Sequence, residues 1–224
     1  MTPVAVIQAR MSSRRLPGKI LMEVAGKPLL AYLVERLRHS RRLQSMIVAT
    51  SQAPEDDPVI GLCEQLGIRS FRGALEDVLG RLLAAAGLAD ASAIVRVNGD
   101  SPLLDQALVD RGVAEFDAGD ADIVTNVFPR SFPKGQSVEV ISVAALARVA
   151  GQTSDPDDRE HVTRFFYNHP ERFKIRNFAC KTDLSGVQMS VDTPEDLEMF
   201  RSTIARLKRP HWEYGFEEIL LVRG

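Results

Sequence analysis

Residues 4–19, VAVIQARMSSRRLPGK, decide the fold: an apolar run from Val4 stops at Gln8 and gives way to a loop with four cations and two serines. A short apolar run ending at a polar, glycine-containing stretch is how a buried parallel strand meets the edge of its sheet. Working outward, Leu29, Leu30, Leu33, Val34 and Leu37 recur at helical spacing, and Arg36, Arg38, Arg41 and Arg42 gather where a helix C-terminus favours cations. Residues 46–50 form a second apolar run. The segment after it has an acidic start, Pro58 and a closing Gly67, which mark both ends of another helix. Residues 68–73 with 76–89, and 93–98 with 106–116, repeat the alternation twice more. This rhythm predicts right-handed βαβ units, an α/β, Rossmann-like and mostly parallel sheet flanked by helices.

After residue 120 the rhythm changes. Residues 122–129, 136–142 and 173–179 read as strands separated by loops and one helix over 157–169, so a mixed β second half is expected. Residues 193–207 read as a helix with Thr193 as N-cap and Pro194 at its first position. The tail, 208–224, is either a short helix packing back or a partner contact. No low-complexity linker separates the halves, so one domain over 1–224 is expected.

Composition narrows the function. With 224 residues, 45% hydrophobic and 26% charged, the chain reads as a globular protein with a real core. Thirty acidic against 28 basic residues give a net charge of -2, which offers no basic field for a polynucleotide. No apolar run is long enough to span a bilayer. Cys63 and Cys180 match no metal spacing and no leader-like run opens the sequence, so a reduced, cytoplasmic setting is expected.

Ligands of an open parallel sheet bind beyond the carboxyl ends of its strands, and two such places carry unusual residues. The loop from Gln8 and Ala9 through Arg10, Ser13, Arg15 and Lys19 offers backbone N–H groups with guanidinium and ammonium donors, which suits a polyphosphate. Its spacing is not that of a Walker loop. The strand at 93–98 ends in Asn98, Gly99 and Asp100, and an acid there can hold Mg²⁺ beside a phosphate. Asp105 competes with it as the cap of the next helix. A third run, residues 187–191, reads as a strand ending in Asp192, which either joins Asp100 on one metal ion or caps the next helix with Thr193.

Together these blocks, with FRGALEDVLGR, QSVEVIS, DDREHVT and VDTPEDLE, resemble the cytidylyltransferase family, nearest the spore coat polysaccharide biosynthesis protein F group and related to the CMP-KDO and CMP-acylneuraminate synthetases. The resemblance implies a nucleotide-diphospho-sugar transferase-like fold and Mg²⁺-dependent transfer of CMP from CTP to an acidic sugar or related acid, with pyrophosphate released. It further implies that Arg10, Lys19, Asp100 and Asp192 are catalytic and that Asp100 and Asp192 hold the metal. Gln8, Ala9, Ser13, Arg15, Arg72, Asp77, Arg81 and Asn98 would join them around the nucleotide. Glu139, Arg159 and His161 fall to the acceptor side. Residues 1–120 would form the nucleotide half, and 121–207 the acceptor-binding half and the interface of a homodimer. Ser12 stands where the family usually has glycine, and Arg14 replaces a small polar residue, which makes the loop bulkier and more cationic.

Two other readings stay open. A glycosyltransferase would need Asp120 or Asp122 as metal ligand, and a silent subunit would bind nucleotide without turnover. His39 and His211 read as exposed, Cys63 as core, and Phe165, Phe166 and Tyr167 as packing residues.

Overall fold

The computed structural model describes residues 3–223. Its main sheet opens with β1 (Val4–Gln8), and a two-stranded ribbon of β2 (Glu23–Val24) and β3 (Lys27–Pro28) leads into α1 (Leu29–Arg38). The alternation expected for the first half follows: β4 (Ser45–Ser51), α2 (Asp57–Gln65), β5 (Arg69–Gly73), α3 (Val78–Leu88), β6 (Ala93–Asn98) and α4 (Gln106–Asp117). The second half adds β7 (Ile123–Thr125), β8 (Glu139–Ser142), α5 (Val143–Ala150), α6 (Pro156–Glu160), α7 (Arg164–Asn168), β9 (Ile175–Asn177), α8 (Pro194–Arg206) and α9 (Phe216–Arg223).

Seven strands form one sheet in the order β5-β4-β1-β6-β8-β7-β9. Strands β5, β4, β1 and β6 run parallel, and β8 lies antiparallel between β6 and β7. The mostly parallel sheet with a mixed second half is therefore as expected. Both faces are covered, which explains why its strands read as unbroken apolar runs. Val4 and Val6 point into a core with Leu79, Leu82, Leu146 and Phe166, while Ala5 and Ile7 point into the opposite one with Leu33, Val109, Phe200 and Ile219. Among the described residues no helix is long and apolar enough to cross a membrane.

Three local expectations need correction. Residues 187–191 do not extend the main sheet: the segment makes one isolated bridge, Lys134 to Gln188, because a loop and not a strand lies alongside it. The helix expected over 157–169 is two short helices broken at His161, whose backbone (φ −101°, ψ 66°) is non-helical. Arg36 sits in the last turn of α1, as expected of a C-terminal cation, and is fully buried there (0% exposed). Its guanidinium donates to the carbonyls of Leu104 at 2.7 Å, Tyr214 at 2.8 Å and His211. His211, read as exposed, is buried with its Nε2 2.8 Å from Glu35. These contacts settle the tail, which packs back onto α1 and the loop after β6.

Candidate active site

The strand order reverses beside β1: the chain moves outward to β4 and β5, then returns to place β6 on the other flank. Such a switch point leaves a crevice at the carboxyl ends of the two central strands. Gln8 and Asn98 are paired at its floor. Gly99 follows so closely that a Cβ there would lie 2.9 Å from the Gln8 carbonyl, which only glycine tolerates.

Over this floor Lys19 joins Asp100, just past the end of β6, to Asp192, just past the 187–191 segment. Its Nζ lies 2.8 Å from Asp100 Oδ2 and 2.9 Å from Asp192 Oδ1, with the lysine only 7% exposed. Arg15 reaches the same Asp192 oxygen at 2.9 Å, and Gln188 and Ser190 donate to its other oxygen. Burial alone would raise the Asp192 pKa, but the Lys19 hydrogen bond, its charge and that of Arg15 hold it below the ordinary carboxylate range. Val191 N donates to Asp100 O at 2.9 Å, so the two acids are fastened backbone to backbone. Neither caps a helix: Asp105 caps α4, and Thr193 caps α8 in a reciprocal capping box with Asp196. Among the described residues no group of three or more His, Cys, Asp or Glu forms a cage. Two carboxylates that already share one cation are the donor set of an ion that takes its other ligands from water and phosphate.

The loop between β1 and Lys19 is anchored by a residue the sequence reading missed. Asp56, buried, accepts from Met11 N at 2.7 Å, Thr50 Oγ1 at 2.9 Å and Ser51 N at 3.0 Å as well as from the Ser51 hydroxyl. Burial pushes its pKa up, but these donors pull it lower overall. The signal was available only as an acid within a helix start, PEDD, where capping explains it equally well. Gly18 N closes the loop onto Met11 O at 2.9 Å. A cavity of about 620 Å³ opens beside it, lined by Met11, Ser12, Gly18, Ser51, Ala53 and Leu75 among others.

Several residues expected at the nucleotide shape this cavity from behind. Arg72 donates to the carbonyls of Ser51 (2.9 Å) and Ala53 (2.8 Å) and pairs with Asp57. Arg81 is buried against the carbonyls of Ala74 and Leu75. Asp77 caps α3 through Gly80 N and pairs with Arg159 at 2.6 Å, so Arg159 is not brought together with Glu139 and His161. Arg10 turns toward α6 and pairs with Glu160 at 2.6 Å, while Ala9 is buried and Ser13 is half-buried on the loop. The carbonyl oxygen of the Gln8 side chain is buried and has no partner among the described residues.

A second cavity, about 430 Å³, opens on the other flank along β6 and β8. Asn98, Glu139 and His161 all line it, so two of the three expected acceptor residues meet there. Glu139 is buried (3% exposed) and pairs with Arg96, and Tyr167 donates to it at 2.7 Å. Desolvation would raise its pKa, yet the Arg96 charge and these hydrogen bonds keep it lowered and ionised. Phe165 and Phe166 pack in the core as expected, whereas Tyr167 faces this cavity. Asp120 and Asp122 lie far along the sheet by β7, tied to Lys174 and Arg148. Neither lines either cavity.

A nucleotide-sized cavity, a donor-rich loop and a carboxylate pair at the switch point of such a sheet define an α/β nucleotidyltransferase. The chain belongs to the cytidylyltransferase family, whose model matches residues 4–215, and it is an enzyme of that class. It is 34% identical over 206 residues to the spore coat polysaccharide biosynthesis protein SpsF of Bacillus subtilis, covering 88% of this chain and 84% of that one. A cytidylyltransferase structure from Leptospira borgpetersenii superposes with a TM-score of 0.93 at 30% identity, over 99% of this chain and 94% of the other. A CMP:2-keto-3-deoxy-manno-octonic acid synthetase solved with CTP matches with a TM-score of 0.69 over 91% of this chain and 98% of its own, and at 19% identity shows a shared fold.

Proposed function

We propose that the protein transfers CMP from CTP to an acidic sugar or related acid acceptor, releasing pyrophosphate, in surface polysaccharide synthesis. One observation carries this reading: Lys19 bridges Asp100 and Asp192 at the switch point, with one cavity on each flank. The nucleotide occupies the cavity beside the 9–19 loop and the acceptor the cavity beside Glu139 and His161, so their reactive ends meet over Gln8 and Asn98. Family membership and the kinship with SpsF support the choice of CTP and of a polysaccharide precursor.

Attack on a crowded, anionic α-phosphate needs positioning and charge neutralisation more than a covalent nucleophile. Lys19 and Arg15 hold positive charge where pyrophosphate would leave, and loop N–H groups orient its oxygens. Asp100 and Asp192 would hold Mg²⁺, which supplies charge neutralisation and lowers the pKa of an attacking hydroxyl. Arg10 exchanges Glu160 for a phosphate when nucleotide arrives. Nothing in the geometry favours the glycosyltransferase, since its required ligands, Asp120 and Asp122, are bound elsewhere.

The test is pyrophosphate release with CTP, ATP, GTP and UTP in turn, with Mg²⁺ and pooled acidic sugars, for wild type and Asp100→Asn. Release with CTP and one acid pool, abolished in the folded variant, is expected. Turnover of Asp100→Asn at the wild-type rate would remove the metal assignment. CTP-induced stabilisation with no release from any pool would favour a silent subunit.

A further inference from the structure

Three guanidiniums, Arg96, Arg130 and Arg164, line the cavity beside β6 together with Glu139. Two of these cations are already neutralised. Arg96 is paired with Glu139, and Arg164 lies 3.1 Å from Asp158, with oxygens of Asp155 and Asp157 at 3.7 Å. Arg130 has no carboxylate within ion-pair distance among the described residues. Its Nη2 donates to the Ser137 hydroxyl at 3.0 Å and its Nη1 makes a long 3.4 Å contact with the Pro133 carbonyl. Desolvation lowers its pKa, and only the distant influence of Glu139 and Tyr167 opposes that. A half-buried charge without a counter-ion is costly to hold in a fold, and this one is held firmly.

The loop that carries Arg130 is pinned at both ends. Asn126 and Gln136 are fully buried, and Asn126 donates to Gln136 O at 2.7 Å and accepts from Val138 N at 2.8 Å. Gln136 in turn accepts from Asp105 N and donates to Leu103 O, both at 2.8 Å, in the segment that follows Asp100. Gly135 (φ +92°) passes so near that a Cβ would lie 2.5 Å from Ser190 N. Lys134 exchanges backbone hydrogen bonds of 2.9 and 2.8 Å with Val187 and Met189, on the segment that ends at Asp192. The loop that carries the unpaired guanidinium is therefore tied to the segments on which Asp100 and Asp192 stand.

We propose that Arg130 is the specificity-determining residue that seats the acidic group of the acceptor, with Ser137 steering its guanidinium. This rests on the transferase reading above. A charge-assisted, two-pronged contact to an acid group is worth about tenfold or more in affinity over a neutral group of the same shape. Arg96, held by Glu139, and Arg164, held by its aspartates, shape the cavity without competing for that group.

The probes are 3-deoxy-manno-octulosonate and its neutral methyl ester, titrated calorimetrically into the full chain as wild type, Arg130→Met and Arg130→Lys. Wild type is expected to bind the acid about tenfold or more tightly than the ester. Arg130→Met should bind both equally weakly, and Arg130→Lys should keep part of the preference, because it retains charge but not the fork. CTP-induced thermal stabilisation should be the same in all three. An undiminished preference in Arg130→Met overturns the proposal, as does a wild type that fails to prefer the acid, including one that binds neither probe. If Arg130→Met does not fold, the Arg130→Lys titration decides, and an unchanged ratio there overturns the proposal too. A wild type that CTP does not stabilise would instead strike the transferase reading.

Discussion

Lys19→Met removes the cation that joins Asp100 to Asp192 while keeping most of the side-chain volume. Nζ lies 2.8 Å from Asp100 and 2.9 Å from Asp192. Without it, two ionised carboxylates face each other across no more than about 6 Å, where repulsion at an effective dielectric of about 20 is about 3 kcal/mol. The two acids keep 27% and 19% of their side-chain exposure, so solvent screening trims the net loss to about 2 kcal/mol. In a chain of this size that lowers Tm by about 4–8 °C. In the wild type the pKa of Asp192 is lowered, so its stabilisation is complete above the ordinary carboxylate pKa and is lost as pH falls through the lowered one. Without Lys19 that contribution is gone, so acidification from about pH 7 to about pH 3, which removes it from the wild type too, narrows the gap between them. Mn²⁺ or Mg²⁺ narrows it as well, since a divalent ion replaces the ammonium between the acids. Thermal unfolding at both pH values, with EDTA or MnCl₂, measures all three effects, and turnover should fall by about 10²–10³. A variant with wild-type Tm and no added response to Mn²⁺ would show that Lys19 does not hold the acids together.

Asp56→Ala leaves the Met11 N–H and both Ser51 donors without their acceptor, so the 9–19 loop should loosen and KM for CTP should rise by about tenfold or more, with kcat less affected. Equal losses in both constants would show that Asp56 acts on the chemistry and not on the loop. Arg36→Met strands three carbonyls under the tail and should cost at least about 3 kcal/mol in urea unfolding, with limited proteolysis releasing the segment after residue 208. Intact tail protection would refute that role. Burial lowers the His211 pKa from 6.5 to about 4 despite the Glu35 hydrogen bond. The unfolded chain therefore binds the extra proton first, and about 3 kcal/mol present above about pH 6.5 is lost as pH falls toward about 4. A His211→Gln protein with the same steep acid limb would assign that loss to other groups.

The parallel half was legible because each of its signals is local. An apolar run of five ending in a polar turn, then a helix of period 3.6 closed by glycine or cations, survives any choice of neighbour. In three places a distant partner overrode or redirected a local signal. Arg36 obeys the helix C-terminal preference for cations, yet three carbonyls from two remote segments take it inside. Residues 187–191 have strand-like character but find the loop at Lys134 for a neighbour, so no ladder extends. The 157–169 helix contains neither Pro nor Gly to foretell its break. Its interruption coincides with tertiary pairs, Glu160 with Arg10 and Arg159 with Asp77.

The candidate site divides along the same line. Asp100 was legible because strand-end position is readable from hydrophobic pattern, and Lys19 because it closes the cation-rich loop after β1, whereas Asp192 was reached through an apolar run read as a strand that pairs only with the Lys134 loop. The cavity along β6 and β8 depends on β8 entering between β6 and β7, an insertion that no spacing in the sequence encodes. That insertion sets Arg96 opposite Glu139 as Cα partners, and it makes the glutamate a counter-ion whose oxygens are already taken. The consequence is selective: neutralising Arg96 leaves Arg130, on the neighbouring loop, as the charge without a carboxylate partner. A Glu139→Gln protein should therefore gain a second unpaired guanidinium and bind a carboxylate probe more tightly but with less preference for its shape, an outcome opposite to the simple loss expected if Glu139 itself grips the acceptor. Calorimetry with 3-deoxy-manno-octulosonate and acetate on that variant separates the two, and weakened binding of both anions would return the contact to Glu139.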